Sequence, residues 1–148
     1  MGVVRGCSPI REIKMRIRED TENLFDQDNE YVIGYLNKRG LDNAELNKII
    51  REYPFGLLEE AKFFVGNDPY ELTHFLSKSD TMGYDIRKVN ALLKTNETDD
   101  VVFAVVLGDD AVCCNVTTGE VYIWLIQSGE GERIDTGLTL TDFLNNII

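Results

Sequence analysis

The sequence predicts a single α+β domain over residues 1–148: a mixed, mostly antiparallel sheet drawn from the C-terminal half, with N-terminal helices and a C-terminal helix packed on it. Three observations predict it. Residues 101–126 hold three strongly apolar runs separated by Gly-Asp-Asp and Thr-Thr-Gly-Glu turns, which is the patterning of hairpins. Leu140, Phe143, Leu144, Ile147 and Ile148 fall at i, i+3, i+4, i+7 and i+8, the stripe of a helix shaped to cover a sheet. The first half repeats its apolar residues mostly at helical spacing. At 148 residues such a fold buries roughly two thirds of the surface its unfolded chain exposes, so it needs no covalent staple.

Taken in order, Ser8-Pro9 starts a helix, with Ile10, Ile13, Ile17 and Leu24 near helical spacing. Residues 1–20 are expected to form a loosely attached N-terminal helix. Asp26-Gln27-Asp28-Asn29 breaks the pattern. A second helix follows, with Tyr31, Tyr35 and Leu36 inward and Gly40 as its stop. Asp42 or Asn43 caps a third, striped by Leu46, Ile49, Ile50 and Tyr53 and ended by Pro54.

Residues 55–66 read either way. Phe63-Phe64-Val65 is strand-like, and Leu57 to Phe64 also fits a helix. Asp68-Pro69-Tyr70-Glu71 has the form of a capping box, so a helix through Leu76 is expected, with a strand across Tyr70 to Leu76 as the competing reading. Asp80 to Tyr84 is a turn. Ile86, Val89, Leu92 and Leu93 mark a short helix ending near Thr95, and 96–100 is a polar loop.

Val101 to Leu107 is an unbroken apolar run, expected as a central strand buried on both faces. Gly108-Asp109-Asp110 is turn chemistry, since Gly accepts positive φ and Asp bonds its own backbone. Ala111–Val116 and Val121–Ile126 are the next strands, joined through Thr117-Thr118-Gly119-Glu120. After a polar turn at Ser128–Glu132, Arg133 to Thr136 is a short edge strand whose Arg133 discourages further pairing. Thr139 caps the last helix, with Asp142 as its capping-box partner.

The formal net charge of −11 argues against general binding to nucleic acid or membrane surfaces. It is unevenly spread. Residues 1–20 carry five basic and three acidic side chains, whereas residues 101–148 carry one basic (Arg133) and seven acidic. The C-terminal block therefore suits a basic partner, although acidity also serves plain solubility. Cys7, Cys113 and Cys114 are odd in number, and the adjacent pair points to opposite faces of a strand, which disfavours a disulfide between them. Reduced thiols fit a cytoplasmic protein. No run reaches the ~18 apolar residues that cross a bilayer, and the start lacks an apolar signal core.

Each candidate for chemistry has a plainer counterpart. Gly108-Asp109-Asp110 between apolar strands is the form of a metal-gripping polymerase hairpin, but a turn with two solvated carboxylates explains the same letters. His74 is the only histidine, so no site built on several histidines is possible, and a core-edge imidazole is the expected role. Cys113-Cys114 lacks CxxC spacing and a basic neighbour, so packing is expected. Gly129-Glu130-Gly131-Glu132 follows no strand-to-helix turn and its carboxylates repel phosphate. Tyr122 and Trp124 share one face by period 2 and are core unless that face is uncovered, when they become a binding anchor. No nucleophile, base and orienter assemble, so a non-catalytic protein with no cofactor and no metal is expected.

With these elements in place, the chain resembles the SUKH superfamily, best known as immunity proteins of bacterial polymorphic toxin systems. The likeness is strongest over Val101 to Leu144: an apolar strand ending in Gly108 and Asp109, a strand with Cys113 and Cys114, the turn Thr118-Gly119-Glu120-Val121, and a helix opening Thr139-Leu140-Thr141-Asp142-Phe143. Upstream, Tyr35-Leu36 followed by Gly40-Leu41-Asp42 is similar to an aromatic-Leu-x-x-x-Gly-Leu-Pro stretch, with Asp42 where Pro is usual. Gly137-Leu138 stands where members have Asn-Ser. The resemblance implies an α+β fold and, by analogy, a protein that neutralises a toxin domain such as a nuclease or nucleic-acid deaminase. The charge tally adds candidate docking residues: Asp99, Asp100, Asp109, Asp110, Glu120, Glu130 and Glu132, with Tyr122 and Trp124 as anchors. An adaptor domain of the same fold that binds a housekeeping protein is the alternative. A metal-dependent phosphoryl-transfer enzyme on the Gly-Asp-Asp hairpin is the remote one.

Overall fold

The computed structural model describes residues 16–17, 29–52, 58–59, 61–78, 85–92, 99–125 and 132–147. Its elements run β1 (Arg16–Ile17), α1 (Asn29–Lys38), α2 (Ala44–Glu52), β2 (Leu58–Glu59), β3 (Lys62–Val65), β4 (Asp68–Phe75), α3 (Ile86–Leu92), β5 (Asp100–Val106), β6 (Asp110–Asn115), β7 (Glu120–Trp124), β8 (Arg133–Thr139) and α4 (Leu140–Asn145). Strands β3 to β8 form one six-stranded sheet in chain order, and every pairing in it is antiparallel. The α+β class is as expected. Among the described residues, parallel pairing is confined to an isolated bridge between Ser77 and Asp85.

The sheet starts earlier than the sequence suggested. Where a helix through Leu76 is expected, the competing reading holds and strand β4 forms, and the described part of residues 55–66 contains strands β2 and β3. Gly66-Asn67 is a two-residue hairpin turn with Gly66 at φ 63°, and it fixes Val65 opposite Asp68. Pro69 is tolerated because β4 joins β5 only from Leu72 onward, beyond the proline. The N-terminal helix expected from Ile10 to Leu24 is also corrected where it is described: Arg16 and Ile17 pair with Glu59 and Leu58 as a small separate sheet. The rest of that segment lies outside the described residues, as do the expected turn at Asp80–Tyr84 and most of that at Ser128–Glu132.

Helices α1 and α2 fall where the apolar spacing puts them. Val32, Ile33 and Leu36 are buried in α1, whereas Tyr31 and Tyr35, expected inward with Leu36, are half-buried; Leu46, Ile49 and Ile50 are buried in α2. The Leu46 amide donates to Asn43 Oδ1 at 3.0 Å, so Asn43 is the cap. Gly40, at φ 95°, ends α1.

Strand β5 is buried from Asp100 to Val106 and lies inside the sheet, between β4 and β6. Beyond Phe75 its β4-side edge has no strand partner at Val102. There the Asn90 side chain from α3 accepts from the Val102 amide at 2.8 Å and donates to the Val102 carbonyl at 3.0 Å. One carboxamide thus supplies both bonds that a neighbouring strand would give.

Leu140, Phe143, Leu144 and Ile147 are all buried, as their stripe predicts; Ile148 lies outside the described residues. Phe143 sits edge-on to Phe63 (4.8 Å between centroids) and to Phe103 (6.0 Å). The sheet curls around this residue until its two edge strands, β3 and β8, approach each other. The cap of α4 differs from expectation. The Thr139 hydroxyl donates to the Asp142 carboxylate at 3.2 Å and makes no side-chain bond to a helix amide.

Candidate functional site

The β5–β6 turn sets the geometry. Val106 pairs with Asp110, so the chain reverses through Leu107, Gly108 and Asp109. Gly108 (φ 100°) and Asp109 (φ 66°) both adopt left-handed backbone, which Gly takes freely and Asp tolerates better than most residues. Leu107, expected as the end of the buried strand, is 68% exposed because it opens the turn.

The docking candidates separate into two groups. Asp109 and Glu132 are exposed, and Asp110 is half-buried. Register places them together: Ala111, Trp124 and Arg133 form one cross-strand row, and the Leu125 amide donates to the Glu132 carbonyl at 2.8 Å just beyond it. Trp124 and Leu125 are half-buried there. Asp110 Oδ1 has no hydrogen-bond partner among the described residues. The nearby cation Arg133 is paired with Asp135 at 3.1 Å.

Asp99, Asp100 and Glu120 lie at the opposite end of the sheet, about 20 Å away at the usual rise of a strand as long as β5. Asp99 and Glu120 are exposed, and the Asp99 carboxylate accepts the Thr117 hydroxyl at 2.6 Å. Glu130 lies outside the described residues.

Asp100 is not a surface residue. It is 2% exposed, and its carboxylate accepts from Asn115 Nδ2 at 2.9 Å and from the Tyr122 hydroxyl at 2.7 Å. Its backbone carbonyl accepts from Arg39 at 2.9 Å. Asn115 also turns its Oδ1 to the amides of Thr117 and Thr118, tying the buried carboxylate to the β6–β7 turn. Tyr122 is likewise withdrawn as an anchor. It is 4% exposed, its hydroxyl is committed to Asp100, and the Arg133 guanidinium lies 4.3 Å from its ring centroid. Burial pushes its phenol well above the usual range, and the neighbouring Cys113 and Asp100 add to that.

The adjacent thiols are buried and unbridged. In register, Cys113 stands with Val102 and Tyr122 on one face, and Cys114 with Val101 and Val121 on the other. Burial, reinforced by the Asp100 charge, pushes Cys114 up to about 12, and burial raises Cys113 as well. Neither is poised as a thiolate. His74 is buried at the β4 bulge. Thr73 gives its hydroxyl proton to the Val105 carbonyl at 2.9 Å, so at 3.0 Å its oxygen accepts from His74 Nδ1–H.

A further feature escaped the sequence. Lys62, Pro69, Tyr70, Glu71 and Leu107 line a shallow open pocket of about 280 Å³, beside the exposed Phe64. It appears only once Gly66-Asn67 is read as a hairpin turn, which puts Lys62 directly across from Glu71. Among the described residues, no group of three or more His, Cys, Asp or Glu is placed to hold a metal ion. No helix among them is long and apolar enough to cross a membrane. No family model matches the chain, and no curated protein or solved structure matches it either.

Proposed function

We propose that the chain is a non-catalytic binding protein, similar in role to toxin immunity proteins, that docks a basic protein partner such as a nuclease or deaminase toxin domain. The observation that carries this is the row of Asp110, half-buried Leu125 and Glu132 at one end of the sheet, beside the exposed turn residue Asp109. An apolar centre inside a charged rim is the anatomy of a protein interface. The exposed Asp109 and Glu132 carboxylates offer acceptors to an incoming Lys or Arg. A toxin cleft made basic to hold nucleic acid has the complementary charge, so an acidic surface speeds encounter and covers the substrate path.

The test is calorimetric titration of the chain with the toxin domain encoded beside its gene. Binding is expected at low salt, with affinity falling by about tenfold or more between about 50 and 300 mM salt. No binding, or binding indifferent to salt, contradicts the proposal.

A further inference from the structure

The pocket formed by Lys62, Pro69, Tyr70, Glu71 and Leu107 lies at the same end of the sheet as the Asp109–Asp110 turn. The Leu107 amide donates to the Glu71 carbonyl at 2.8 Å, so the wall of the pocket and the acidic turn are held as one piece. Two large apolar side chains are conspicuously exposed here: Leu107 at 68% and Phe64 at 45%. They come from different strands. Phe64 stands across from Pro69, and Tyr70 is fixed by stacking on Phe63 at 5.6 Å. The walls are therefore set by the packed hairpin and the turn, before anything binds.

We propose that this pocket receives a single apolar side chain of the basic partner, so that the chain recognises a leucine-sized or aromatic residue flanked by lysines or arginines. This rests on the docking proposal above. Size favours a side chain: about 280 Å³ falls just below the roughly 300–1,000 Å³ of pockets that enclose a whole small ligand. Charge selects the flanks. Glu71 lines the pocket and Asp109 stands beside it in the turn that Leu107 opens, while Lys62, directly across from Glu71, is the cation among the described lining residues. An apolar anchor supplies affinity through desolvation while the acidic neighbours set orientation and rate.

Two acetylated, amidated pentapeptides test it, Lys-Lys-Leu-Lys-Lys and Lys-Lys-Ser-Lys-Lys, each titrated into the ¹⁵N-labelled chain and followed by amide shifts. Both peptides should move the amides of Asp109, Asp110 and Glu132. Only the leucine peptide should also move Lys62, Tyr70 and Leu107, and Leu107→Ser should weaken it by about threefold or more. Because Leu107 projects into solvent, that variant keeps its fold. Equal shifts at the pocket from both peptides overturn the anchor and leave the acidic docking intact. If neither peptide moves the acidic residues, the docking proposal itself fails. Pocket shifts without acidic ones keep the anchor and refute the role of charge.

Discussion

Asn90 shows what one side chain contributes when a strand partner runs out. Its amide satisfies both backbone groups of Val102, and it is itself only 8% exposed. Asn90→Ala should therefore leave a buried donor and a buried acceptor unpaired and cost about 2 kcal/mol or more in urea unfolding. Asn90→Asp keeps the acceptor for the Val102 amide and loses the donor, so its stability should differ from that of the alanine variant. Two variants as stable as the parent would remove the strand-substitute role. The buried thiols make a second prediction. Cys114 rises from 9.0 to about 12, so the native state holds its proton after the unfolded chain has begun to release it. Stability from this group is complete below pH 9.0 and is lost as pH climbs toward 12, at about 1.4 kcal/mol per pH unit. Urea midpoints at pH 8 and 10.5 should fall less in Cys114→Ala than in the parent; parallel declines would contradict the assignment.

Among the elements, legibility in the sequence depended on whether a period or a turn carried the signal. Helices α1, α2 and α3 were readable because Leu36, Leu46, Ile49 and Val89 recur at helical spacing and are buried. Strand β4 reads as a helix or a strand because Asp68-Pro69-Tyr70-Glu71 has the letters of a capping box, and only Gly66 at φ 63° shows that a hairpin turn precedes it. The docking candidates were partly legible. Sequence charge named Asp100 along with its neighbours, but Asn115 and Tyr122, distant in sequence, bury it as the acceptor of two hydrogen bonds. The pocket was not legible, since Lys62, Tyr70 and Leu107 meet only through strand register. Two glycines separate conformational need from free space. Gly40 sits at φ 95° with a Cβ position 3.4 Å from Val116, so Gly40→Ala should cost about 1 kcal/mol or more. Gly34 lies on the exposed face of α1 with nothing within 4 Å of its Cβ position. Gly34→Ala should stabilise by about 0.5–1 kcal/mol. Thermal melts that gave both changes the same sign would show that the α1 backbone is assigned wrongly.

For the whole molecule, the sheet sorts the negative charge that the sequence only counts. A chain of net charge −11 repels any polyanion, but the candidate docking carboxylates among the described residues fall at two ends of the sheet. Asp109, Asp110 and Glu132 gather at one end with Trp124 and the pocket, whereas Asp99 and Glu120 stand at the other, about 20 Å off by strand rise. A docking surface confined to the first end makes a prediction that overall charge does not. The direct measurement is the toxin-domain titration repeated with two charge-neutralised variants. Asp109→Asn/Asp110→Asn/Glu132→Gln keeps a residue that accepts the left-handed φ at position 109 and removes three charges from the pocket end. Asp99→Asn/Glu120→Gln removes two from the far end. The first should lose about tenfold or more in affinity while the second stays within about twofold. Equal losses in the two variants, or a loss confined to the far end, would contradict the account.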